Sequence, residues 1–551
     1  MLFGKTKAKS CGLVAAFAVT GALVCGGAAS AADMDAMVTK AAPMAYTPPP
    51  VTACGSVYDF FLTACPLSWY GVTFFGIVDV GGTYQTHGTP FDRNFPTGAS
   101  YLLGAGGTGA TNRNAGFGLG PNALSQSNIG VKVAEPVGSG WSFVAEGGLA
   151  FDPYSLLLAN APQALQNAKG TAQNQEAVPF DSSRWGWLAA QNYAGVSSPV
   201  YGTVTFGRQN VLELDAVNAY DPMGGAYAFS PLGYSGKTAG AGDTEDARWT
   251  TAIKYRVNIG DFRLALMGQP GLGYGAFNPN QGAVSGAVGG DFRNLGPGVL
   301  SVDFIGTFEE GAVNISAMYP GQATPNGWPT TFPADAALKA TLSNQTAFMA
   351  VAKYSFGSWG NTPPPVVGKA LPAPSGPTGI PLTLYAGYEW IQFANPTNGQ
   401  NSFSDDGFAF ADPTALAGGH GAVASANLTS INNNAFNVNC GTGGGCSDEI
   451  FQVMWAGAKY GITKDLDVIT GFYHYIQNQY TFNAGNVCLV AAAHSQCAGW
   501  MDMASVVFDW RFLPKWDAYI GTFYSAAFGG IANDDITRNN LATTAGVRFR
   551  W

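Results

Sequence analysis

Segments of about ten residues in which apolar and polar side chains alternate recur along the sequence from Trp69 onward. Stretches rich in Gly, Asn and Pro separate these segments, and no long helical period stands out. Because successive side chains of a strand point to opposite faces, this alternation predicts β-strands with one apolar and one polar face. The clearest segment is RWTTAIKYRV, which places on one face Trp249, Thr251, Ile253, Tyr255 and Val257, and on the other Arg248, Thr250, Lys254 and Arg256.

The connections between these segments alternate between short and long. Short ones follow residues 135, 257, 460 and 511, and long ones occupy about 85–124, 152–184, 210–247, 320–346, 394–448, 478–499 and 528–540. Short turns at one end and long loops at the other are typical of an up-and-down antiparallel barrel in an outer membrane. The spacing predicts an all-β transmembrane barrel of about 16 strands with both chain ends on the periplasmic side. Residues 283–319 fit one long strand or two short ones equally well.

Composition favours this barrel over its alternative, a soluble β-sandwich. Hydrophobic residues make up 47% of the chain but charged residues only 11%, against roughly 25% in soluble domains. A sandwich in water would carry more Lys and Glu on its polar face. Aromatic residues near predicted strand ends suit the interfacial girdles of a membrane barrel, namely Trp69, Tyr70, Trp141, Tyr460, Trp510, Trp516 and Trp551.

The first residues have the features of an export signal. Lys5, Lys7 and Lys9 precede the apolar run GLVAAFAVTGALV, and Ala29-Ser30-Ala31 offers a small-residue cleavage site. The run is short for a membrane anchor helix, which is the alternative, and no other stretch is apolar for long enough to predict a transmembrane helix.

Cleavage there would divide the chain into three parts. We predict a signal peptide over 1–31, a periplasmic N-terminal leader or linker over 32–67, and an outer-membrane barrel over 68–551. Of the 26 basic residues, loss of the three signal lysines leaves 23 against 35 acidic ones, a formal charge of −12. This acidic balance argues against nucleic acid as a partner.

Six cysteines remain after the predicted cleavage, and they form three close pairs. The pairs are Cys54 with Cys65, Cys440 with Cys446, and Cys488 with Cys497. An even number of cysteines in an exported chain predicts disulfides formed outside the cytoplasm. Zinc is the weaker alternative, because the sequence has no C-x-x-C pair and its four histidines lie far apart. We therefore predict neither a metal nor a cofactor.

Four motifs follow one another along the chain: NIGVKVAEPVGSGWSFVAEGG, VYGTVTFGRQ, DPMGG and AIKYRV. In this order they resemble parts of the general (diffusion) porins of Gram-negative bacteria, especially those of alphaproteobacteria. The parts are the second and third strands with their turn, the fifth strand with its Gly-Arg end, a Pro-x-x-Gly-Gly-like segment of the third loop, and the sixth strand. A cysteine pair just before strand 1 also recurs in the alphaproteobacterial members. The resemblance spans 69–551 and is weaker over 283–346 and 394–448.

The resemblance implies trimers of 16-stranded barrels, each a water-filled pore that an inward-folded third loop narrows. It also implies a constriction where basic wall residues face acidic loop residues. The basic candidates are Lys132, Arg208, Arg248, Lys254 and Arg256, and the acidic candidates are Glu213, Asp215 and Asp221. Lys132, Lys254 and Arg256 have the lumen parity of their strands in any case. The alternatives are basic residues that snorkel at the membrane interface and acids that are solvated in the loop.

Arg208 needs a bulge to reach the lumen. Plain alternation places it with Val204 and Phe206 on the lipid side, and a bulge at Gly207 would turn it inward. Asn128 stands where many relatives have an arginine, and Met223 lies in a motif that often carries an acid. The resemblance therefore implies a constriction with fewer charges than in those relatives.

The chain ends in TTAGVRFRW, which predicts a closing strand. Its alternation directs Phe549 and Trp551 to the lipid, and Arg548 and Arg550 to the lumen or its periplasmic mouth. The resemblance implies that the terminal aromatic residues, Phe549 and Trp551, serve as a signal to the barrel assembly machinery.

These features predict a channel and not an enzyme. We expect passive diffusion of small hydrophilic solutes and ions across the bacterial outer membrane, with lipid and lipopolysaccharide as surroundings. The alternatives are a substrate-specific channel for oligosaccharides or organic acids, which would show an aromatic track or a basic ladder, and a secreted β-sandwich adhesin. A barrel phospholipase would need a Ser–His pair on the lipid face, and His474, the only histidine in a predicted strand, has no serine at matching parity.

Overall fold

Sixteen strands within the described residues form one antiparallel sheet that closes on itself. They are β1 Val72–Gln85, β2 Asn128–Gly138, β3 Trp141–Ala150, β4 Asn192–Ser198, β5 Gly202–Asn210, β6 Arg248–Ile259, β7 Phe262–Gln269, β8 Ala283–Phe292, β9 Val299–Ala317, β10 Leu338–Ser355, β11 Leu382–Ala394, β12 Glu449–Gly461, β13 Leu466–Gln477, β14 Gly499–Leu513, β15 Trp516–Gly529 and β16 Asn539–Arg550. Two shorter strands, Leu67–Trp69 and Gly116–Leu119, also pair with β1. β1 pairs with β16 from Ile77–Arg550 to Gln85–Ala542, which closes the barrel. The predicted 16-stranded antiparallel barrel is confirmed.

The structure is a computed structural model. It describes residues 54–87, 115–151, 153–154, 156, 190–233, 248–270, 272–273, 276–277, 282–293, 295–317, 338–357, 380–394, 448–479, 481–483, 486–487, 498–529 and 539–551. The predicted signal peptide lies outside these residues.

Of the three predicted disulfides, one falls within the described residues. Cys54 and Cys65 form a disulfide bond there, as the sequence predicted. Cys440 and Cys446 lie outside the described residues, and so do Cys488 and Cys497. The pairing of Cys440 with Cys446 and the pairing of Cys488 with Cys497 therefore stay predictions.

The barrel carries apolar side chains on its outer face and polar ones inside. In β1, Phe74 and Tyr84 are exposed on the outer face, whereas Asp79 and Thr83 are buried inside. The outer face continues with exposed apolar residues from almost every strand, among them Ile129, Phe206, Ile253, Leu266, Val288, Phe304, Phe348, Phe472, Val506 and Ile520. A soluble protein has the opposite distribution, so these strands are built to face lipid.

Short turns lie at one end of the barrel and most long connections at the other. The turn end has connections 139–140, 199–201, 260–261, 293–298, 356–381, 462–465 and 514–515. The loop end has 86–127, 151–191, 211–247, 270–282, 318–337, 395–448, 478–498 and 530–538. The ambiguous stretch 283–319 forms two strands, β8 and β9. The expectation of a loop as far as residue 346 is wrong, because β10 begins at Leu338 and pairs with β9 beyond a bulge at Glu309–Ala312.

The third connection at the loop end folds into the barrel, as the sequence predicted. Its helix α2 (Leu212–Tyr220) follows β5 directly and contacts β8–β11 across the lumen. Leu212, Val217 and Tyr220 are buried against the inner wall. Beyond α2, Phe229 packs against Val507 and Tyr519 on a distant part of the wall.

The first connection also enters the barrel, which the sequence did not predict. Residues 85–124 were expected to form an external loop, yet Ala123 and Leu124 are buried beside the third connection. Asp79 of β1 accepts hydrogen bonds from the backbone N–H groups of Leu124 and Ser125, both at 2.8 Å. These bonds hold residues 120–127 inside, where Ala123 also accepts a bond from the N–H of Ala228.

Two irregularities at the loop end of β5 and β6 change the phase of alternation. The register between these strands shifts after Gly207, which has a φ of +129°, and Thr251 has a φ of +56°. Trp249 consequently lies inside the barrel, fully buried, and its Nε1 donates to Glu309 Oε1 at 2.8 Å. The expectation that Trp249 shares the outer face with Ile253 is wrong, because the bulge reverses the phase of the residues before it.

A short helix, α1 (Val57–Leu62), lies within the predicted leader and packs against the last strands of the barrel. The rings of Phe60 and Phe61 contact Phe549, with centroids 5.6 and 5.4 Å apart. Lys515 Nζ donates to the carbonyl of Phe60 at 2.8 Å, and Trp516 Nε1 to that of Phe61 at 3.0 Å. Phe549 is therefore buried although it lies on the outer face. In the described part of the chain, no helix combines the length and apolar character needed to cross a membrane.

Trp551 completes the seam between the first and last strands. Its backbone N–H donates to the Gly76 carbonyl at 3.0 Å, and the Gly76 N–H donates to the Trp551 carbonyl at 3.1 Å. A Cβ on Gly76 would lie 2.1 Å from the indole ring of Trp551, so only glycine fits beneath it.

Deletion of Trp551 should lower the yield of folded barrel more than it changes conductance. It removes two backbone hydrogen bonds at the seam, each worth about 1 kcal/mol, and the ring that covers Gly76, but no group that lines the lumen. The folded fraction can be measured by heat-modifiable migration on gels, and conductance on the molecules that fold. Trp69→Ala is the control, since Trp69 is 72% exposed at the same end of the barrel. A normal yield for the deletion would contradict the prediction.

Candidate functional site

A cavity of about 540 Å³ lies inside the barrel, between α2 and the wall formed by β3–β9. Polar side chains from both sides line it, among them Tyr193, Thr205, Gln209, Asp215, Lys254, Arg256, Arg263 and Asp303. It extends to the turn end, where it is bordered by Ser198, Gly202 and Asn258. A solute that passes beside α2 would therefore meet fixed charges on the loop and on the wall.

Asp215, in the first turn of α2, meets two basic residues of β6. Lys254 Nζ lies 2.7 Å from Asp215 Oδ2, and Arg256 donates to the same oxygen. Asn210 Nδ2 donates to the other carboxylate oxygen at 3.3 Å. One predicted loop acid and two predicted wall bases thus come together. Burial acts to raise the pKa of Asp215, but the positive charges of Arg256 and Lys254 outweigh it and hold the pKa below its ordinary value.

The three charges differ in their contact with solvent. The side chain of Lys254 is buried, whereas that of Arg256 is 46% exposed and that of Asp215 is 25% exposed. Both bases lie on the same face of β6 because they are two residues apart in a strand. Their contacts with Asp215 of α2 show that this face is the inward one. Arg256 is therefore the charge of this group that a solute would contact most.

Arg208 and Arg248 do not line this cavity. Arg208 is only 5% exposed, and it follows the register shift after Gly207, so it has left the exposed outer face on which plain alternation would put it. The next residue, Gln209, lines the cavity instead and donates to the carbonyl of Thr205 at 3.2 Å. Arg248 begins β6 at the loop end, where it pairs with Asn210 across the sheet.

Glu213 lies in the contact between α2 and the wall, and it does not line the cavity. Its side chain is buried, and Thr307 of β9 donates to its carboxylate. Burial raises the pKa of Glu213 to about 7, although the positive charge of Lys254 opposes the shift. Glu213 is therefore partly protonated at neutral pH, unlike Asp215 two residues further along α2.

Asp221 follows α2 directly and joins the loop to the opposite wall. Its Oδ1 accepts a hydrogen bond from Tyr473 Oη at 2.7 Å, and its Oδ2 accepts one from the Gly225 N–H at 2.8 Å. The side chain is buried, and burial raises the pKa of Asp221 above its ordinary value. These contacts hold the loop against the wall and keep the carboxylate away from the cavity.

An ion cluster at the C-terminal end of α2 was not predicted from the sequence. Arg263 of β7 forms two bonds to Asp303 of β9, at 2.7 and 2.9 Å, and its Nη1 lies 2.7 Å from Asp291 of β8. Arg263 Nη2 also donates to Tyr220 Oη at 2.5 Å, and Lys353 Nζ lies 5.4 Å from the centre of the Tyr220 ring. The inward parity of Asp291 and Asp303 was a signal for this cluster in the sequence. Their common partner, Arg263, lies on another strand, so the sequence pattern did not show that the three residues meet.

Lys132 lies on the neighbouring wall, and contacts through two other residues link it to the cavity. Its Nζ is 3.7 Å from Glu146 Oε2 of β3, and Tyr193 Oη donates to the same oxygen at 3.1 Å. Tyr193 lines the cavity. The inward parity predicted for Lys132 agrees with its pairing opposite Glu146.

The arrangement suits conduction and selection of solutes. Charges fixed on a helix and on strands can steer ions and orient dipolar molecules without moving. Within the residues that the structure describes, no group of three or more His, Cys, Asp or Glu is placed to hold a metal ion.

A closed barrel with an apolar outer face, a charged lumen and an inward loop defines a channel protein of the outer membrane. The family model for Gram-negative porins matches residues 15–487. The chain therefore belongs to the Gram-negative porin family. Its place is the bacterial outer membrane, where it is a channel for passive diffusion.

Several solved structures have a similar fold at low sequence identity. An anion-selective porin from Comamonas acidovorans is 14% identical with a TM-score of 0.49, and the match covers 87% of this chain and 99% of that one. OmpT, an outer membrane protein of Vibrio cholerae, is 11% identical with a TM-score of 0.45, over 88% and 99%. The outer membrane channel DcaP of Acinetobacter baumannii is 10% identical with a TM-score of 0.40, over 88% and 99%. No curated protein sequence matches the chain significantly.

Glu213→Gln should stabilise the barrel at pH 8 but not at pH 4. The pKa of Glu213 is about 7 when folded, against an ordinary value of 4.5, so the folded state holds a proton that the unfolded state loses between these values. The free energy of unfolding therefore falls as pH rises through this window, and a neutral amide removes that loss, which is about 1–3 kcal/mol. Urea unfolding followed by tryptophan fluorescence at both pH values measures it.

Asp465→Asn is the matched control, because Asp465 lies in the exposed turn 462–465. Its effect on stability should be small and similar at both pH values. A Glu213→Gln variant that is less stable than the parent at pH 8 would show that the ionised carboxylate holds α2 in place.

Proposed function

We propose that small hydrophilic solutes and ions pass beside α2, and that Asp215, Lys254 and Arg256 form the charged constriction. The observation that supports this is their meeting at the wall of the lumen cavity, with Asp215 on the loop and both bases on β6. A narrow passage between low-dielectric walls strengthens the effect of such charges on a passing ion. Arg256 has the largest effect in this proposal because it is the most exposed of the three.

The other candidate residues take different roles in this proposal. Glu213 and Asp221 fasten the third connection to the wall, since both are buried in contacts with it. Lys132 acts on solutes beside the constriction, where its side chain is 56% exposed. Arg208 and Arg248 contribute to the field from outside the cavity.

The working assembly that we propose is a homotrimer of barrels over 68–551. The signal peptide 1–31 is removed on export, and 32–67 remains as a periplasmic leader whose last part packs on the barrel. Phe549 and Trp551 act as the signal to the barrel assembly machinery, and their place at the seam supports that role. Membrane lipid and lipopolysaccharide surround the outer face. An alphaproteobacterial type, and the absence of enzymatic activity, stay predictions.

Recording from the purified full-length protein in planar bilayers tests the channel. A steady open conductance with current proportional to voltage is the expected result. Saturable block by a single oligosaccharide or organic acid would favour the substrate-specific alternative. If pure protein gave no steady conductance in repeated insertions, passive diffusion would have to be abandoned.

Arg256→Gln should lower the permeability of anions relative to cations and change the conductance by roughly two-fold. The variant removes an exposed charge, while Lys254 still pairs with Asp215. Reversal potentials in a KCl gradient measure the effect. Asp221→Asn is the control: its carboxyl is buried away from the cavity, so it should alter thermal stability and leave the permeability ratio unchanged. Equal shifts in both variants would contradict the proposed constriction.

A further inference from the structure

The ion pairs of the lumen share an asymmetry in solvent exposure: in most of them the basic side chain is more exposed than the acidic one. Lys459 and Arg511 are 40% and 32% exposed, whereas Asp467, which both contact, is 7% exposed. Arg550 is 42% exposed and its partner Asp517 is fully buried. The same direction holds for Lys132 over Glu146 and for Arg256 over Asp215.

Among the remaining lumen pairs, one has the opposite asymmetry and two show little difference. Lys254 is more buried than Asp215, and Arg263 and Arg548 are about as buried as their partners. The other inward acids whose burial the structure describes are almost inaccessible: Asp79, Glu213, Asp221, Asp291, Asp303, Glu309, Glu389 and Asp509. Among the described residues of the strands and α2, the charge that meets lumen water is therefore mostly positive, although the chain as a whole carries −9.

Three of the exposed bases lie together at one end of the barrel. Lys459, Arg511 and Arg550 stand on the inward faces of β12, β14 and β16, close to the short turns. Short turns of outer-membrane barrels are periplasmic. We name these three residues the basic rim of the periplasmic mouth.

Buried acids on the intervening strands hold the basic rim in place. Asp467 lies 2.9 Å from Lys459 Nζ and 2.6 Å from Arg511 Nη1, and Arg550 Nη2 lies 3.2 Å from Asp517. Asp467 is paired directly opposite Asp509 across β13 and β14. Like charges opposite each other repel, so these acids need the bases beside them. The acids in turn hold the bases, which stay 40%, 32% and 42% exposed at Lys459, Arg511 and Arg550.

In this geometry each ion pair of the basic rim is an oriented dipole. The negative end lies in the wall, and the positive end faces water. A passing ion interacts most strongly with the nearest and least screened charge, which here is the base. A guanidinium such as that of Arg550 also offers paired N–H donors that match carboxylate and phosphate oxygens. Both terminal nitrogens of Arg511 already donate, to Asp467 and to the carbonyl of Lys464, so Arg511 contributes mainly its charge.

We propose that the lumen prefers small anions, and that Lys459, Arg511 and Arg550 form a site that collects oxyanions, such as carboxylates and phosphates, at the periplasmic mouth. The proposal rests on the channel function proposed above and specifies its preferred solutes. The net charge of the chain would indicate the opposite preference, and the α2 constriction, with Lys254 and Arg256 against Asp215, would add to the preference for anions without giving the oxyanion site.

Reversal potentials of the full-length protein across a KCl gradient test the preference. We expect chloride to be several-fold more permeant than potassium near 0.1 M salt, and the ratio to fall toward unity at 1 M because screening lengths shorten from about 10 to 3 Å. A steady channel that prefers potassium would overturn this inference and leave the channel function intact. The lack of any channel would instead defeat the proposed function.

The double variant Lys459→Gln/Arg550→Gln tests the basic rim. Each buried acid keeps a partner in it, because Arg511 still bonds to Asp467 and Arg548 to Asp517. Folding should therefore survive, and heat-modifiable migration checks it. We expect the chloride-to-potassium ratio to fall about two-fold or more.

Lys464→Gln is the matched control, compared with Lys459→Gln alone. It removes the same charge from the neighbouring turn, where Lys464 is 80% exposed beside Asp465. Its permeability ratio should equal that of the parent. If Lys464→Gln shifted the ratio as much as Lys459→Gln, or if the double variant left it unchanged, the basic rim would not set the preference.

Citrate, added to one chamber at a time, tests collection of oxyanions. Citrate in the chamber that the periplasmic mouth faces should reduce the current at lower concentrations than citrate in the other chamber. The double variant should need at least about three-fold more citrate for the same reduction. Equal citrate sensitivity of parent and double variant would overturn the oxyanion site.

Discussion

The lack of water in the bilayer core dictates most of this structure, because each backbone N–H and C=O there must find a partner within the protein. Antiparallel pairing meets this need for every strand except the first and the last, so β1 and β16 have to meet. The bonds between Gly76 and Trp551 continue that pairing to the last residue. Once the sheet is closed, its alternation fixes which side chains face lipid and which are available for the lumen.

The third connection occupies part of this enclosed space. α2 begins next to the ion pair of Asp215 with β6, and the loop then crosses to Tyr473 and, beyond Asp221, to Tyr519. The loop is thus attached at both sides of the barrel and along its length. Buried acids such as Glu213 belong to these attachments, whereas bases such as Arg256 stay exposed.

The sequence predicted the barrel well because alternation and connection length are local properties. It predicted the inward parity of Lys254 and Arg256 for the same reason. It failed at Trp249, where a bulge at Thr251 reverses the phase and leaves no mark in the pattern. It also could not tell Asp215 from Glu213, because the face that α2 turns to the cavity depends on wall residues far away in the chain. Exposure of the basic rim likewise depends on acids of neighbouring strands.

The contact of α1 with the end of the chain has a consequence for the order of events during biogenesis. The segment that follows α1 pairs with β1, whereas the aromatic residues that α1 covers lie on β15 and β16. Both contacts can be present together only when the two ends of the sheet are side by side. Complete docking of α1 therefore accompanies closure of the barrel, and in the closed state it covers Phe549.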